Sequence, residues 1–504
     1  MYRPLRALAL LIAVMPLHSL AQQQPASESD LRPRVHFSPE QNWTNDPNGL
    51  VYFDGEYHLF YQYAPESMTP AHMSWGHAVS TDLLHWQELG VAIPARGEEA
   101  IFTGSVVVDE HNTSGLCKDG KACLVAIYTG NYGSGKTQQE VQEIAVSQDR
   151  GRTFTPYNGN PVLDLHMSDY RDPGVLWDEE SKRWTMVVAL PNMHQVYFYT
   201  SPDLKTWTKV SSFGPTGAVG GQWECPNLVK VSDASGTSLW ALKIGINPGG
   251  LQGGSGEQYF LGSFDGKQFT QSTESGSHGW SDYGKDSYCA LSYNNRPAGH
   301  KPALIGWMDN WQYADRQPSF PWRGQMTVPR TLTLLRDKAG IALAEEPVVS
   351  PLRTGKAISI SLSADDKGTL LGQAPMELNL KFIPTDAKIF GVRLYSDDSH
   401  WTELGFDLSR QRMWMDRTHS GMQITSSFPT KTEAPISLER PLDLRLVLDR
   451  ISVESFAQNG SIAMTNLVFP LTSAATLKPF TEDGKGIRIT GEAWHLQSTL
   501  AAKH

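Results

Sequence analysis

The sequence predicts an all-β protein, a five-bladed β-propeller followed by a C-terminal β-sandwich, on three observations. Its 504 residues hold 15 Trp, 17 Tyr and 18 Phe beside 44 Gly and 31 Pro, which mixes sheet-packing aromatics with turn-makers. Short alternating or apolar runs are cut by turn signals, and no long run of 3.6-residue period occurs before residue 350. A Ser-x-Asp signal recurs four times, at intervals of 67, 54 and 62 residues.

The elements follow in chain order. Arg3 and Arg6 precede an apolar run from Ala7 to Met15, with Ser19 and Ala21 as the small residues of a cleavage site. Residues 1–21 therefore read as a secretory signal peptide cut near Ala21, too short to span a membrane. Residues 22–35 are polar and read as a flexible lead-in. Hairpins follow, such as Leu50–Phe53 with Tyr57–Tyr63 across Asp54-Gly55, and Val175–Trp177 with Trp184–Leu190. The repeat starts at Ser80-Thr-Asp82, Ser147-Gln-Asp149, Ser201-Pro-Asp203 and Ser263-Phe-Asp265. In each copy a strand ends in Ser, Asp leads a turn, and an aromatic opens the next strand. A repeat near 60 residues fits a four-stranded blade, so residues 36–345 are assigned to five blades. After Glu346-Pro-Val-Val-Ser-Pro351 the signal vanishes, and runs such as Ile358–Leu362, Glu377–Phe382 and Leu444–Leu448 alternate with one polar face. Residues 346–504 are assigned to the sandwich.

Composition excludes several classes. At 40% hydrophobic and 19% charged the chain is neither disordered nor fibrous. A formal net charge of −10, falling to −12 once the signal peptide takes two arginines with it, argues against a nucleic-acid partner. No later stretch reaches a membrane-spanning length, so the expected product is secreted, extracellular or periplasmic. Four cysteines exclude a disulfide scaffold; Cys117 and Cys123 are a candidate disulfide around a five-residue loop, and Cys225 and Cys289 read as small core residues. Gly249–Gly256 is glycine-rich but lacks the Gly-Lys-Ser/Thr and helix of a phosphate loop, so it reads as a turn within a blade.

The inner strand of each blade begins near the propeller axis, so equivalent starts converge. Those starts read Asn45-Asp46-Pro47, Phe102-Thr103-Gly104, Arg171-Asp172-Pro173, Glu224-Cys225-Pro226 and Asp286. An Asp before a strand is commonly a turn residue, but carboxylates repeated in register are not explained by turns. Crowding like charges splits their pKa values, leaving one group an acid and its neighbour an anion, which is what glycoside hydrolysis requires. A metal is the competing use. His72, His77 and His85 lie outside these positions, so no metal or other cofactor is expected.

These residues resemble glycoside hydrolase family 32, the β-fructosidases that include invertases, inulinases and levanases. The resemblance rests on Trp43-Thr-Asn-Asp46-Pro-Asn-Gly49, Trp75-Gly-His77, Phe102-Thr-Gly-Ser105, Arg171-Asp-Pro173 and Trp223-Glu-Cys-Pro226. It continues through Gly306-Trp-Met-Asp-Asn-Trp311, Trp322-Arg-Gly, Val328-Pro-Arg-Thr-Leu332 and Asp449-Arg-Ile-Ser-Val-Glu454. It implies a propeller with a sandwich and a retaining mechanism. Asp46 would be the nucleophile, Glu224 the acid and base, and Asp172 the stabiliser of the transition state, kept ionised by Arg171. Asn45, Gln62, Phe102, Thr103, Arg171 and Trp311 would line the fructose subsite. Where the family commonly has an aromatic, eight residues after Gln62, this chain has Pro70, so that wall is altered or Trp75 covers it.

The expected activity is exo-hydrolysis of terminal β-fructosyl linkages in levan or inulin, extending to sucrose. A fructosyltransferase, an endo-acting levanase and a non-catalytic fructan-binding protein are the alternatives.

Overall fold

The structure, a computed structural model, describes residues 31–500 apart from 277, 398 and 483–485. The expected signal peptide, 1–21, lies outside the described residues, as does most of the lead-in. The end of that lead-in is not loose. Arg32 stacks its guanidinium 3.8 Å from the Trp322 ring centroid and donates to Ser38, Pro39 and Glu40, and Val35 is buried.

The described chain is built on seven sheets, antiparallel but for one strand pair. The first five take up residues 42–347 in sequence order, and their first strands are Asn42–Phe53 (sheet I), Glu99–Asp109 (II), Arg171–Asp178 (III), Gln222–Ser232 (IV) and Tyr288–Ser292 (V). These first strands touch in a ring: I against II, II against III, III against IV, IV against V, and V back against I. Sheet I gains one further strand from far along the chain, where Asn42 and Trp43 pair in parallel with Trp322 and Arg323.

The Ser-x-Asp repeat is the turn between the third and fourth strands of sheets I to IV. Asp82 accepts from the backbone N–H groups of Leu84 and His85, and Asp203 from Lys205 and Thr206. Asp265 accepts from Lys267 and Gln268 in the same way, and Asp149 from Thr153. A carboxylate that satisfies two backbone donors fixes where the outer strand begins, so the signal marks blade geometry and not chemistry.

Two six-stranded sheets follow, one opening with Arg353–Ser363 and the other with Thr369–Gln373. Met376, Leu378, Phe390, Phe406 and Met464 pack between them in one apolar core. Buried charges join this unit to the first five sheets. His36 sits between Asp449 and Glu454, both at 2.8 Å, and Arg330 Nη1 binds Asp282 at 3.0 Å and Glu345 at 2.8 Å, while its Nη2 reaches Glu454. Among the described residues no helix is long and apolar enough to cross a membrane.

Candidate active site

Every first strand of sheets I to V breaks its pairing register near its start, and that of sheet I breaks again between Asn48 and Val51. The breaks near the starts fall between Thr44 and Pro47, Ile101 and Gly104, Arg171 and Gly174, Glu224 and Asn227, and Tyr288 and Leu291. Two residues oppose one at each break, a β-bulge, which bends the strand and re-aims a side chain. The residues released are Asn45-Asp46, Phe102-Thr103, Asp172-Pro173, Cys225-Pro226 and Cys289-Ala290. Three of them, Asp172, Cys225 and Cys289, take positive φ values of 62°, 51° and 50°, a conformation side chains normally avoid. Close approach of neighbouring strands needs glycine here: a Cβ on Gly104 would lie 2.2 Å from the Ile127 carbonyl oxygen.

The bulges bring Asp46, Asp172 and Glu224 together. Asp46 Oδ2 accepts from the Thr103 hydroxyl at 3.1 Å, and Oδ1 is buried with no hydrogen-bond partner among the described residues. Asp172 Oδ2 accepts from the Cys225 backbone N–H at 3.1 Å. Glu224, half-buried, accepts from Arg171 at Oε1 and from the Tyr288 hydroxyl at Oε2. Asn45 accepts from the Trp43 indole at 2.8 Å and, with Gln62 and Thr103, is buried; Phe102 and Trp311 are half-buried. Trp311 stacks on Trp43 at 5.8 Å and meets Trp307 at 4.8 Å, so its ring is held from behind.

Burial raises two of the three carboxyls. Burial, then the charge of Glu224, pushes Asp46 up to about 7, against the lowering effect of Asn45 and Thr103 beside it. Burial also raises Asp172 well above the usual carboxylate range. Arg171 opposes that rise without cancelling it. Its Nε is 3.8 Å from Asp172 and its charge acts in that direction, but burial and the neighbouring carboxylates outweigh it. The guanidinium spends its hydrogen bonds on Glu224, Glu140, Asp169 and Gln222. The cluster thus retains a proton near neutrality.

The fifth position differs from expectation. Asp286 turns away from the cluster and accepts from Tyr313, Arg417 and the Leu467 backbone, tying sheet V to the sandwich. The bulge lies three residues later, at Cys289. Cys225 and Cys289, expected as separate core residues, are joined by a disulfide across the bulges of sheets IV and V. The Cys225 sulfur lies 3.9 Å from Asp46 and 4.0 Å from Asp172. Cys117 and Cys123 form a second disulfide, S–S 2.07 Å. Asp46, Cys225 and Cys289 place ligand-type atoms within 4.8 Å of one another, but metals bind thiolate and both sulfurs are in the disulfide.

Trp75 does not cover the wall near Pro70. It is fully buried, and its indole donates to the Phe102 carbonyl at 3.0 Å, holding that bulge from below. Tyr288 was missed by sequence reasoning. Its signal was the tyrosine immediately before the Cys289 bulge, hidden because Asp286 was aligned as the blade start.

Comparison with known proteins agrees with this arrangement. The model of the glycosyl hydrolases family 32 N-terminal domain matches residues 36–347, and that of the family's C-terminal domain matches 349–495. A levanase of Bacillus subtilis is 38% identical over 502 residues, 96% of this chain and 73% of that protein. An extracellular exo-inulinase of Aspergillus awamori is 38% identical over 511 residues, 93% of this chain and 95% of that protein. The crystal structure of exo-inulinase from Aspergillus awamori superposes with a TM-score of 0.88 at 36% identity, covering 94% of this chain and 99% of that one. With both of its domains matched and its carboxylates gathered at the strand bulges, the chain belongs to glycosyl hydrolase family 32.

Proposed function

We propose that this protein is a retaining exo-β-fructosidase that releases fructose from levan or inulin and from sucrose. The observation that carries the reading is the pairing of Asp46, one oxygen held by Thr103 and the other unpartnered, with Glu224, clamped between Arg171 and Tyr288. In the first step Asp46 Oδ1 attacks the anomeric C2 of a terminal fructosyl unit while Glu224 gives a proton to the departing oxygen. The C2–O bond to the leaving sugar breaks and a covalent fructosyl ester forms. In the second step Glu224 takes a proton from water, which displaces Asp46. Asp172 holds sugar hydroxyls as positive charge develops. Asn45, Gln62, Phe102, Thr103, Arg171 and Trp311 shape the fructose subsite.

The names of relatives, levanase and extracellular exo-inulinase, support the substrate class, and the second supports export; cleavage near Ala21 rests on the sequence pattern alone. The ring of five sheets supports five blades over 36–345, with the sandwich over 346–504.

Levan, inulin and sucrose digested side by side and separated by chromatography test the reading. Free fructose as the sole early product is expected. A ladder of oligomers would replace exo with endo action, and oligosaccharides dominating at high sucrose would replace hydrolysis with transfer. Asp46→Asn should abolish fructose release; undiminished release would remove Asp46 from its role.

A further inference from the structure

A second cavity, of about 280 Å³, opens where the first strands of the sheets end. The catalytic carboxyls sit at the beginnings of the same strands, so the two are on opposite faces. Trp177 lies five residues beyond Asp172, about 16 Å at strand rise. Between them Asn294 crosses the axis. Its side-chain amide donates to the carbonyls of Val106 at 3.1 Å and Val175 at 2.9 Å, and its backbone exchanges bonds with Leu50 and Tyr52. Only a narrow channel of about 20 Å³ remains on the catalytic side.

The lining has a specific chemistry. Trp177 and Trp240, both half-buried, come from neighbouring sheets III and IV. Two carboxylates, Glu110 and Glu179, face three cations, Lys230 and Arg296 of the lining and Lys182, which pairs with Glu179 at 2.5 Å. A third acid, Asp109, is saturated by Thr113 and by the Ser114 backbone. Arg296 uses only Nε, toward the His300 carbonyl, and its terminal nitrogens make no hydrogen bond to the described residues. Lys230 Nζ stands 5.9 Å from the Trp240 ring centroid and is likewise without a hydrogen bond to the described residues.

Balanced charge gives no preference for an anion or a cation. Aromatic walls with unspent donors favour a ligand with C–H faces and hydroxyl edges, as a sugar ring has. The volume is near the lower end of ligand cavities, about 300–1,000 Å³, and so suits one or two rings. We propose that this cavity is a second, non-catalytic binding site for a neutral saccharide. The inference rests on the cavity and not on the catalytic assignment.

Native gels containing inulin, levan or dextran test it, run with the full chain carrying Asp46→Asn. Against that background, Trp240→Ala and Arg296→Ala are each expected to weaken retardation at least fivefold. With Asp46 restored, both should hydrolyse sucrose at the unsubstituted rate. Loss confined to the fructan gels identifies a fructan site, and loss in dextran as well identifies a general sugar site. Retardation unchanged in Arg296→Ala and Trp240→Ala overturns the proposal, as does no retardation in any gel. Arg296 is exposed, so its variant reads the cavity even if Trp240→Ala fails to fold. If Asp46→Asn digests the fructan gels, the catalytic reading fails and the dextran gel still reads the cavity.

Discussion

Arg171 holds a single oxygen of Glu224, Oε1, through two nitrogens, Nε at 3.1 Å and Nη2 at 2.7 Å. A planar fork fixes a carboxyl in a way a point charge cannot. Arg171→Lys should lower kcat about 100-fold, because misplacement of about 1 Å carries that cost. Steady-state kinetics on sucrose check it, and a change confined to KM would show that Arg171 only binds substrate.

The Glu224 charge is the second-largest cause raising Asp46, after burial. Neutralising it removes a repulsion that favours protonated Asp46, so Glu224→Gln should let Asp46 ionise at lower pH. With a fructoside whose leaving group needs no proton, the acid limb of kcat/KM, set near pH 7 by Asp46 in the unsubstituted enzyme, should move down in the variant. A limb that stays in place or moves up contradicts the coupling.

The Cys225–Cys289 bridge closes a separation of 64 residues, worth about 4 kcal/mol in the chain-entropy account. Replacing both cysteines with serine should lower Tm. It should also lower kcat, because the Cys225 sulfur touches both aspartates. Unchanged kcat at temperatures well below the new Tm would make the bridge purely structural.

His36 opposes its own burial through hydrogen bonds to Asp449 and Glu454 and their charges, which raise it from 6.5 to about 9. The folded state therefore binds this proton more tightly than the unfolded chain. The stabilisation is complete below pH 6.5 and is lost as pH rises through about 9, an effect of about 3 kcal/mol. Thermal melts between pH 6 and 10 should show the decline, and His36→Gln should flatten it.

The hairpins, the four Asp-led turns and the change of texture after Glu346 were legible because each rests on local chemistry, a turn donor or a strand period. The carboxyl cluster was legible because blade repetition carries Asp46, Asp172 and Glu224 to one end of the ring. Asp286 misled for the same reason. It matches the repeat spacing, yet its partners Tyr313 and Arg417 come from elsewhere in the chain, and spacing says nothing about them. The Cys225–Cys289 bridge and the Tyr288 clamp depend on where a bulge falls, and one residue of register decides which side chain turns inward.

The parallel pairing of Asn42 and Trp43 with Trp322 and Arg323 sets an order of events during synthesis. The ribosome makes the strand of Asp46 among the first and the piece that clasps it among the last of the five sheets. A nascent chain that has already emerged with Asp46, Asp172 and Glu224 still lacks Tyr288, the Cys289 half of the bridge and the clasp at Trp322. The site is therefore complete only once Arg323 has joined Trp43, and the ring closes on its own beginning.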